Sequence, residues 1–115
     1  MNIILIINDS PWGSTLAATA VRLAKRFADT GHTLQAVFFR EDGVYNCVPG
    51  TSSDPGTGDL AALWADLNKQ HETELLVCQA SVVRRLSGLP AAPFRQAGLV
   101  EIADRVADCD RVITF

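Results

Sequence analysis

Three cysteines are the side chains of this sequence best suited to covalent chemistry. Cys47, Cys78 and Cys109 lie far apart and lack the CxxC spacing that is typical of zinc sites and redox pairs. His32 and His71 are not close to any cysteine in the sequence, so metal binding is not expected. An odd number of thiols without an export signal predicts reduced cysteines rather than a disulfide framework.

Cys78 is the strongest candidate because of the junction at which it stands. It closes the apolar run 74–78 and comes just before a short helical segment, 80–86. Free backbone N–H groups and the helix dipole at such a junction favour a negative charge, so one interpretation of Cys78 is a nucleophilic thiolate. The other interpretation is a small buried hydrophobic residue that ends a strand.

Four further side chains are candidates for a pocket or a partner contact near this cysteine. Arg84 and Arg85 lie about two turns into the helical segment, roughly 9 Å along its axis from its start. Helical side chains lean back toward the N-terminus, so at least one arginine can add positive potential near a sulfur anion or receive an acidic partner; a solvated helix face is the alternative. Tyr45 and Asn46 can line the cysteine pocket or a subunit contact, with a turn role as the alternative for Asn46.

The other two cysteines have weaker claims to chemistry. Cys47 lies in the glycine-rich segment 40–58, where exposure is expected. It can be a resolving thiol for Cys78 or an ordinary loop residue, and no CxxC spacing enforces the first role. Cys109 stands between the last helix and the last strand, at the opposite edge of the sheet, and is expected to be structural.

Alternating strands and helices must position these residues. Apolar runs predict four strands, at 2–8, 33–39, 74–78 and 111–115. Helices are predicted at 14–30, 59–71, 80–86 and around 99–106, with Ser14 and Asp59 as N-caps. Glycines and prolines predict a long loop without helix or strand over 40–58, and a surface connection over 87–95.

This alternation predicts an α/β fold, a three-layer α/β/α sandwich around a mostly parallel sheet, in a single domain of 115 residues. Ligands in such folds bind at the carboxyl ends of the strands, so chemistry is expected at 8–13, 40–47 and Cys78. Gly13 stands without a GxGxxG or P-loop pattern, which disfavours a nucleotide cofactor. Both histidines fall at the amino-terminal side of the sheet, which disfavours histidine-dependent hydrolysis.

Composition excludes several other classes of protein. With 48% apolar and 20% charged residues, the chain is not expected to be disordered. Its net charge of -3 argues against direct nucleic-acid binding, which needs a basic surface. No apolar stretch approaches the roughly 20 residues of a membrane span, and none forms a signal-peptide core, so a cytoplasmic protein without membrane contact is expected.

Four segments resemble the DsrE/TusD family of intracellular sulfur-relay proteins: VFFREDGVYN (37–46), LNKQH (67–71), LLVCQASVVRR (75–85) and CDRVITF (109–115). The resemblance implies a DsrE-like fold and a persulfide sulfurtransferase. It implies that Cys78 accepts a persulfide sulfur, without a cofactor, and transfers it to an acceptor cysteine of a partner carrier. The pathway implied is tRNA 2-thiolation or dissimilatory sulfur oxidation.

The resemblance also implies partners. These are a TusA-like donor, a TusE/DsrC-like acceptor, and further subunits in a homo-oligomer or in a hetero-hexamer with paralogous chains. The residues leave two other functions open. One is a non-catalytic interaction subunit of a sulfur-transfer complex, and the other is a thiol redox sensor in which Cys47 reaches Cys78.

Overall fold

The computed structural model describes residues 1–12, 15–50 and 59–115, which fold around a five-stranded sheet. The strands are β1 (Asn2–Ile7), β2 (Thr33–Phe39), β3 (Glu74–Cys78), β4 (Phe94–Ala97) and β5 (Arg111–Thr114). The helices are α1 (Leu16–Asp29), α2 (Leu60–His71), α3 (Gln79–Arg85), α4 (Leu99–Ala107) and a 3-10 helix, Glu41–Cys47, hereafter the connecting helix. The strand order is β4-β3-β2-β1-β5, and every neighbouring pair is parallel. The predicted α/β architecture is confirmed.

Successive side chains of each strand divide the core between the two faces of the sheet. On one face α1 and α2 pack over a large apolar cluster, in which the rings of Phe39 and Trp64 meet edge to face at 5.3 Å. On the other face α4 packs over a smaller cluster, which includes Phe38 from β2 and Ile102 from α4. We call these the α1–α2 face and the α4 face.

Ion pairs hold α4 to the sheet. Arg95 of β4 contacts Glu101 of α4 at 2.6 Å and Glu74 of β3 at 3.3 Å. Arg105 of α4 contacts the same Glu74 at 2.5 Å. The hydrogen bond from Arg95 keeps the pKa of Glu101 below its ordinary value. These partly exposed groups are individually weak, but as a network they join two strands to the helix that covers the α4 face.

Strand β4 corrects the predicted surface connection over 87–95 and raises the number of strands from four to five. It pairs with β3 from Leu75–Phe94 to Cys78–Ala97. The strand has four residues, two of them polar, and follows two prolines, so no apolar run marks it in the sequence. Such a strand is tolerated at an edge because one side of its backbone needs no ladder partner.

The connecting helix corrects the prediction that 40–58 contains no helix. Gly43 makes the helix possible, because a Cβ at this position would overlap the carbonyl oxygen of Ile7 at the end of β1. The N–H of Gly43 also donates to the Arg40 carbonyl oxygen at 2.8 Å. These tertiary contacts override the weak helix propensity of a glycine-rich segment.

The other helices lie close to their predicted positions. Asp59 caps α2 as predicted, by accepting a hydrogen bond from the Ala61 N–H at 3.1 Å. The predicted cap Ser14 and the segment 51–58 lie outside the described residues. Within 1–12, 15–50 and 59–115, no helix combines the length and apolar character needed to cross a membrane.

We expect Gly43→Ala to destabilise the protein, because the added methyl group must displace backbone of β1 or of the connecting helix. The free energy of unfolding, measured by urea denaturation, should fall by about 1–3 kcal/mol. Gly88→Ala is the matched control: a Cβ there meets no atom within 4 Å, so the change should stay within about 0.5 kcal/mol. Equal stabilities for the two variants would show that the close approach at Gly43 has no energetic importance.

Candidate functional site

Three neighbouring strands bring chemically useful residues to one edge of the sheet. Asn8 follows β1, Arg40 follows β2, and Cys78 is the last residue of β3. The strand pairings just before these residues place them side by side in the order Asn8, Arg40, Cys78. This is the carboxyl edge of the sheet, where the sequence predicts the chemistry.

Cys78 lies at the boundary between the core and the solvent. It is 8% exposed and belongs to the apolar cluster of the α4 face, with Ala97 opposite it on β4. Its backbone is still extended, with φ −69° and ψ 120°, and the exposed residues Gln79 and Ala80 then begin α3. Backbone N–H groups in the first turn of a helix have no intrahelical partner and favour a negative charge. Cys78 is the N-cap residue of α3, and its side chain makes no cap hydrogen bond.

Asn46 holds the connecting helix to the chain that leaves β1. It is fully buried, and its Nδ2 donates to the carbonyl oxygens of Asp9 and Gly43, both at 2.9 Å. The sequence allows a pocket contact or a turn role for Asn46. The bond to Gly43 is local, as in a turn, whereas the bond to Asp9 is a long-range contact.

Tyr45 is half-buried beside the β1–α1 connection. Its ring packs against Trp12, with ring centroids 5.1 Å apart. Trp12 is 44% exposed, so the aromatic pair forms part of the surface at the carboxyl edge of the sheet. Tyr45 is thus the more accessible of the two predicted contact residues of the connecting helix.

The two predicted arginines of α3 have different surroundings. Arg85 donates to Asp42 at 2.8 Å and to Glu41 at 3.0 Å. These contacts, the hydrogen bond to Asp42 first, hold the pKa of the Arg85 guanidinium above its ordinary value. Arg85 therefore joins α3 to the connecting helix, whereas Arg84 is exposed to solvent.

Cys47 is buried, at 1% exposed, so the expectation that it is exposed is wrong. The connecting helix turns the side chain into the α1–α2 cluster, together with Val44. Burial raises the pKa of the Cys47 thiol well above its ordinary value. Cys78 belongs to the cluster on the opposite face of the sheet, so the structure does not bring these two thiols together.

Cys109 lies just before β5, at the end of the sheet opposite to Cys78. It is partly buried, and its Sγ donates to the Val106 carbonyl oxygen at 3.2 Å. This contact at the end of α4 fits the structural role that the sequence predicts. In the parts of the chain that the structure describes, no group of three or more His, Cys, Asp or Glu side chains could hold a metal ion.

Sequence reasoning did not single out three residues of this edge, namely Asn8, Arg40 and Ser81. Ser81 accepts a hydrogen bond from the Glu41 N–H at 2.8 Å, which ties α3 to the connecting helix. Asn8 and Arg40 fall inside the segments where chemistry is expected. Their position as the first residues after buried strands is the signal that identifies them.

Comparison with known proteins identifies the family. The DsrE/DsrF-like family matches residues 1–115 of this chain. The chain belongs to this family. Sulfurtransferase TusD of Cronobacter sakazakii is 32% identical, and the match covers 100% of each chain. The Sulfurtransferase TusD homolog of Vibrio vulnificus is 36% identical over 96% of this chain and 95% of its own.

The fold of the DsrE/DsrF-like chain also matches a solved structure. The crystal structure of the ychN protein from E. coli superposes with a TM-score of 0.84, at 23% identity, over 100% of this chain and 99% of that one. The predicted family and fold are confirmed by these matches. The names of the full-length relatives agree with the predicted enzyme class, sulfurtransferase.

The buried thiol of Cys47 should give the protein a measurable loss of stability at alkaline pH. The thiol ionises near pH 8.5 in the unfolded chain, whereas burial raises its pKa in the folded protein. Above about pH 8.5 the unfolded state binds fewer protons, so the free energy of unfolding falls as pH rises, by up to about 1.4 kcal/mol at pH 9.5.

Urea denaturation at several pH values between about 7.5 and 9.5 tests this loss. Cys47→Ala should remove this contribution to the pH dependence, in addition to any constant cost of the lost side chain. Val44→Ala, which removes an apolar side chain from the same cluster and no titrating group, is the control and should keep the wild-type slope. Parallel pH curves for wild type and Cys47→Ala would contradict the assignment.

Proposed function

We propose that this chain is a sulfur-relay protein that accepts a sulfane sulfur on Cys78 and transfers it to a cysteine of a partner carrier. The observation that carries the proposal is the position of Cys78 at the carboxyl edge of a parallel sheet, next to the exposed residues Gln79 and Ala80 at the start of α3. The full-length relatives named Sulfurtransferase TusD support the same reaction class.

The transfer is a pair of thiol–persulfide exchanges. The Cys78 thiolate attacks the outer sulfur of a donor persulfide, R–S–SH, and the sulfur–sulfur bond of the donor breaks. The donor leaves as R–S⁻ with the bonding electron pair, and the transferred sulfur keeps its proton in Cys78–S–SH. An acceptor thiolate then attacks this outer sulfur in the same way and releases the Cys78 thiolate. The exchange needs no external oxidant or cofactor.

Proximity and a stabilised sulfur anion are therefore the two contributions that the protein must make. Shallow burial of Cys78 limits contact with water, while its place at the sheet edge gives a partner cysteine a route to the sulfur. The N–H groups at the start of α3 supply donors to an anion.

The proposed partners are sulfur carriers of the cytoplasm, a TusA-like donor and a TusE/DsrC-like acceptor, in tRNA thiolation or in sulfur oxidation. Assembly with identical or paralogous subunits is part of the proposal. It is supported by exposed apolar side chains near the carboxyl edge, where Val83 of α3 is 75% exposed, and Leu99 and Val100 of α4 are 64% and 78% exposed. Large apolar side chains at this exposure are candidates for a subunit contact.

A non-catalytic interaction subunit is the second candidate. The same apolar side chains favour it, and so does the 8% exposure of Cys78. It differs from the first proposal in one measurable respect, because a purely structural Cys78 should be slow to alkylate in the native protein. The redox-sensor alternative is not favoured, since Cys47 and Cys78 belong to clusters on opposite faces of the sheet.

Sulfur loading tests the role of Cys78 directly. After incubation with a persulfide-charged sulfurtransferase or with polysulfide, mass spectrometry of the intact protein and its peptides should locate one or more added sulfur atoms on Cys78. Cys78→Ser should abolish the loading, because a serine hydroxyl is not ionised at neutral pH and is a poor nucleophile toward sulfur.

Cys47→Ser and Cys109→Ser are the matched controls and should keep most of the loading. Loading that survives in Cys78→Ser would overturn the assignment. A wild-type protein that takes no sulfur, and whose Cys78 alkylates slowly, would instead favour the interaction subunit.

A further inference from the structure

Arg40 lies next to Cys78 across the β2–β3 pair. The pairing of these strands reaches Phe39–Val77, so Arg40 and Cys78 are the next two opposite positions. The backbone of Arg40 is extended, with φ −135° and ψ 167°. Its N–H donates to the Ile7 carbonyl oxygen at 3.0 Å, which continues the ladder to β1. Neighbouring strands lie about 4.8 Å apart, so the two side chains start at about this separation.

Both side chains belong to the same face of the sheet. Phe39 and Val77, one residue earlier, pack in the cluster of the α1–α2 face. Because strand side chains alternate, Arg40 and Cys78 project to the α4 face, where Cys78 is part of the apolar cluster. Arg40 is thus the basic side chain in register with the proposed acceptor sulfur.

The guanidinium of Arg40 has hydrogen-bonding capacity that the described residues do not use. Its Nε is buried and has no hydrogen-bond partner among them. Its Nη2 contacts a carboxylate oxygen of Glu41 at 3.5 Å, whereas Arg85 takes the other oxygen at 3.0 Å. The side chain is 41% exposed, so an incoming ligand can reach it. Buried donors normally have a partner, so the Nε marks this guanidinium as incompletely satisfied, and the exposed part of the side chain is where an anion can bind.

Asn8 extends this row on the far side of Arg40. Its Oδ1 is also buried without a hydrogen-bond partner in the described parts of the chain. Two unsatisfied polar groups therefore stand on neighbouring strands beside the thiol. One is an acceptor and the other a donor, so only the Arg40 Nε can donate to an anion.

We propose that Arg40 forms the anion-binding position at Cys78, where its guanidinium holds the negative charge that Cys78 and the sulfane-sulfur donor share during transfer. The proposal rests on the proposed acceptor role of Cys78. During the exchange Cys78 and the donor share one proton, so the reacting groups carry a single negative charge throughout. That charge starts on the Cys78 thiolate and ends on the departing R–S⁻, and a guanidinium beside both sulfur atoms stabilises it at each stage.

Alkylation of Cys78 by two reagents of different charge isolates the electrostatic effect of Arg40 on an anion at the sulfur. Iodoacetate is an anion and iodoacetamide is neutral, and both react with the same thiolate. The ratio of their rates therefore reports the local potential and not the amount of thiolate. Arg40→Met should lower the ratio about fourfold, the effect of one unit charge about 5 Å away in a medium like water. Arg40→Lys, which keeps the charge, should leave the ratio within about twofold of wild type.

Arg22→Met is the control for net charge, because Arg22 is exposed on α1, on the opposite face of the sheet. Its ratio should equal that of wild type at low ionic strength. Peptide mapping assigns the alkylation to Cys78 in each variant. An Arg40→Met ratio equal to that of wild type would overturn the proposal, even if the variant were less stable.

Salt provides a test that needs no variant. In wild type the ratio of the iodoacetate rate to the iodoacetamide rate should fall as sodium chloride is raised from about 0.01 M to 1 M. The Debye length then shrinks from about 30 Å to 3 Å, so salt screens the attraction between Arg40 and the anionic reagent. A ratio that does not change with salt would contradict a cation beside the sulfur.

Polysulfide loading of wild type and of the Arg40 variants separates this proposal from the proposed function. If wild type takes up sulfur on Cys78 and Arg40→Met takes up less, both proposals are supported. Normal loading of Arg40→Met rejects the role of Arg40 and leaves that of Cys78 intact. No loading of wild type rejects the acceptor role of Cys78, and with it the anion-binding position.

Discussion

The approach of Gly43 to the Ile7 carbonyl is the contact on which the arrangement of the candidate site depends. It brings the connecting helix against the end of β1, closer than a residue with a Cβ could come. From that position Glu41 accepts from Arg85 and donates its N–H to Ser81, so that α3 is fixed at two points. Because α3 begins directly after Cys78, the position of Gly43 in the connecting helix also determines the direction in which the chain leaves the cysteine.

The parallel sheet then determines which residues can meet. All carboxyl ends of the strands lie at one edge, so Asn8, Arg40 and Cys78 are brought together although they are far apart in the sequence. The alternation of side chains adds a second constraint, because it separates Cys47 and Cys78 on opposite faces. This separation keeps the two thiols from forming an internal disulfide, which the proposed relay role of Cys78 requires.

The strongly patterned parts of this fold could be predicted from the sequence. The buried strands and the amphipathic helices have clear periodicity, and the strand-to-helix junction at Cys78 is readable because its apolar run ends abruptly. The connecting helix could not be predicted, since it depends on the long-range contact of Gly43 with Ile7. For the same reason the burial of Cys47 was missed. Strand β4 was not predicted because an edge strand of four residues can be half polar and still pair with its neighbouring strand.

Arg40 and Arg85, which both contact Glu41, show why an arginine near Cys78 could be predicted from the sequence but not which arginine it is. The sequence offers Arg84 and Arg85, which follow the cysteine on α3, as candidate cations beside the sulfur, with a solvated helix face as the alternative. Arg85 instead has two carboxylate partners, Glu41 and Asp42, and its charge is used to hold the connecting helix. Arg40 contacts the other oxygen of the Glu41 carboxylate, through Nη2 and at the longer distance of 3.5 Å. Its Nε has no partner in the described parts of the chain, so Arg85 is committed to structural ion pairs while Arg40 keeps a donor unused, and the proposed anion position rests on this difference.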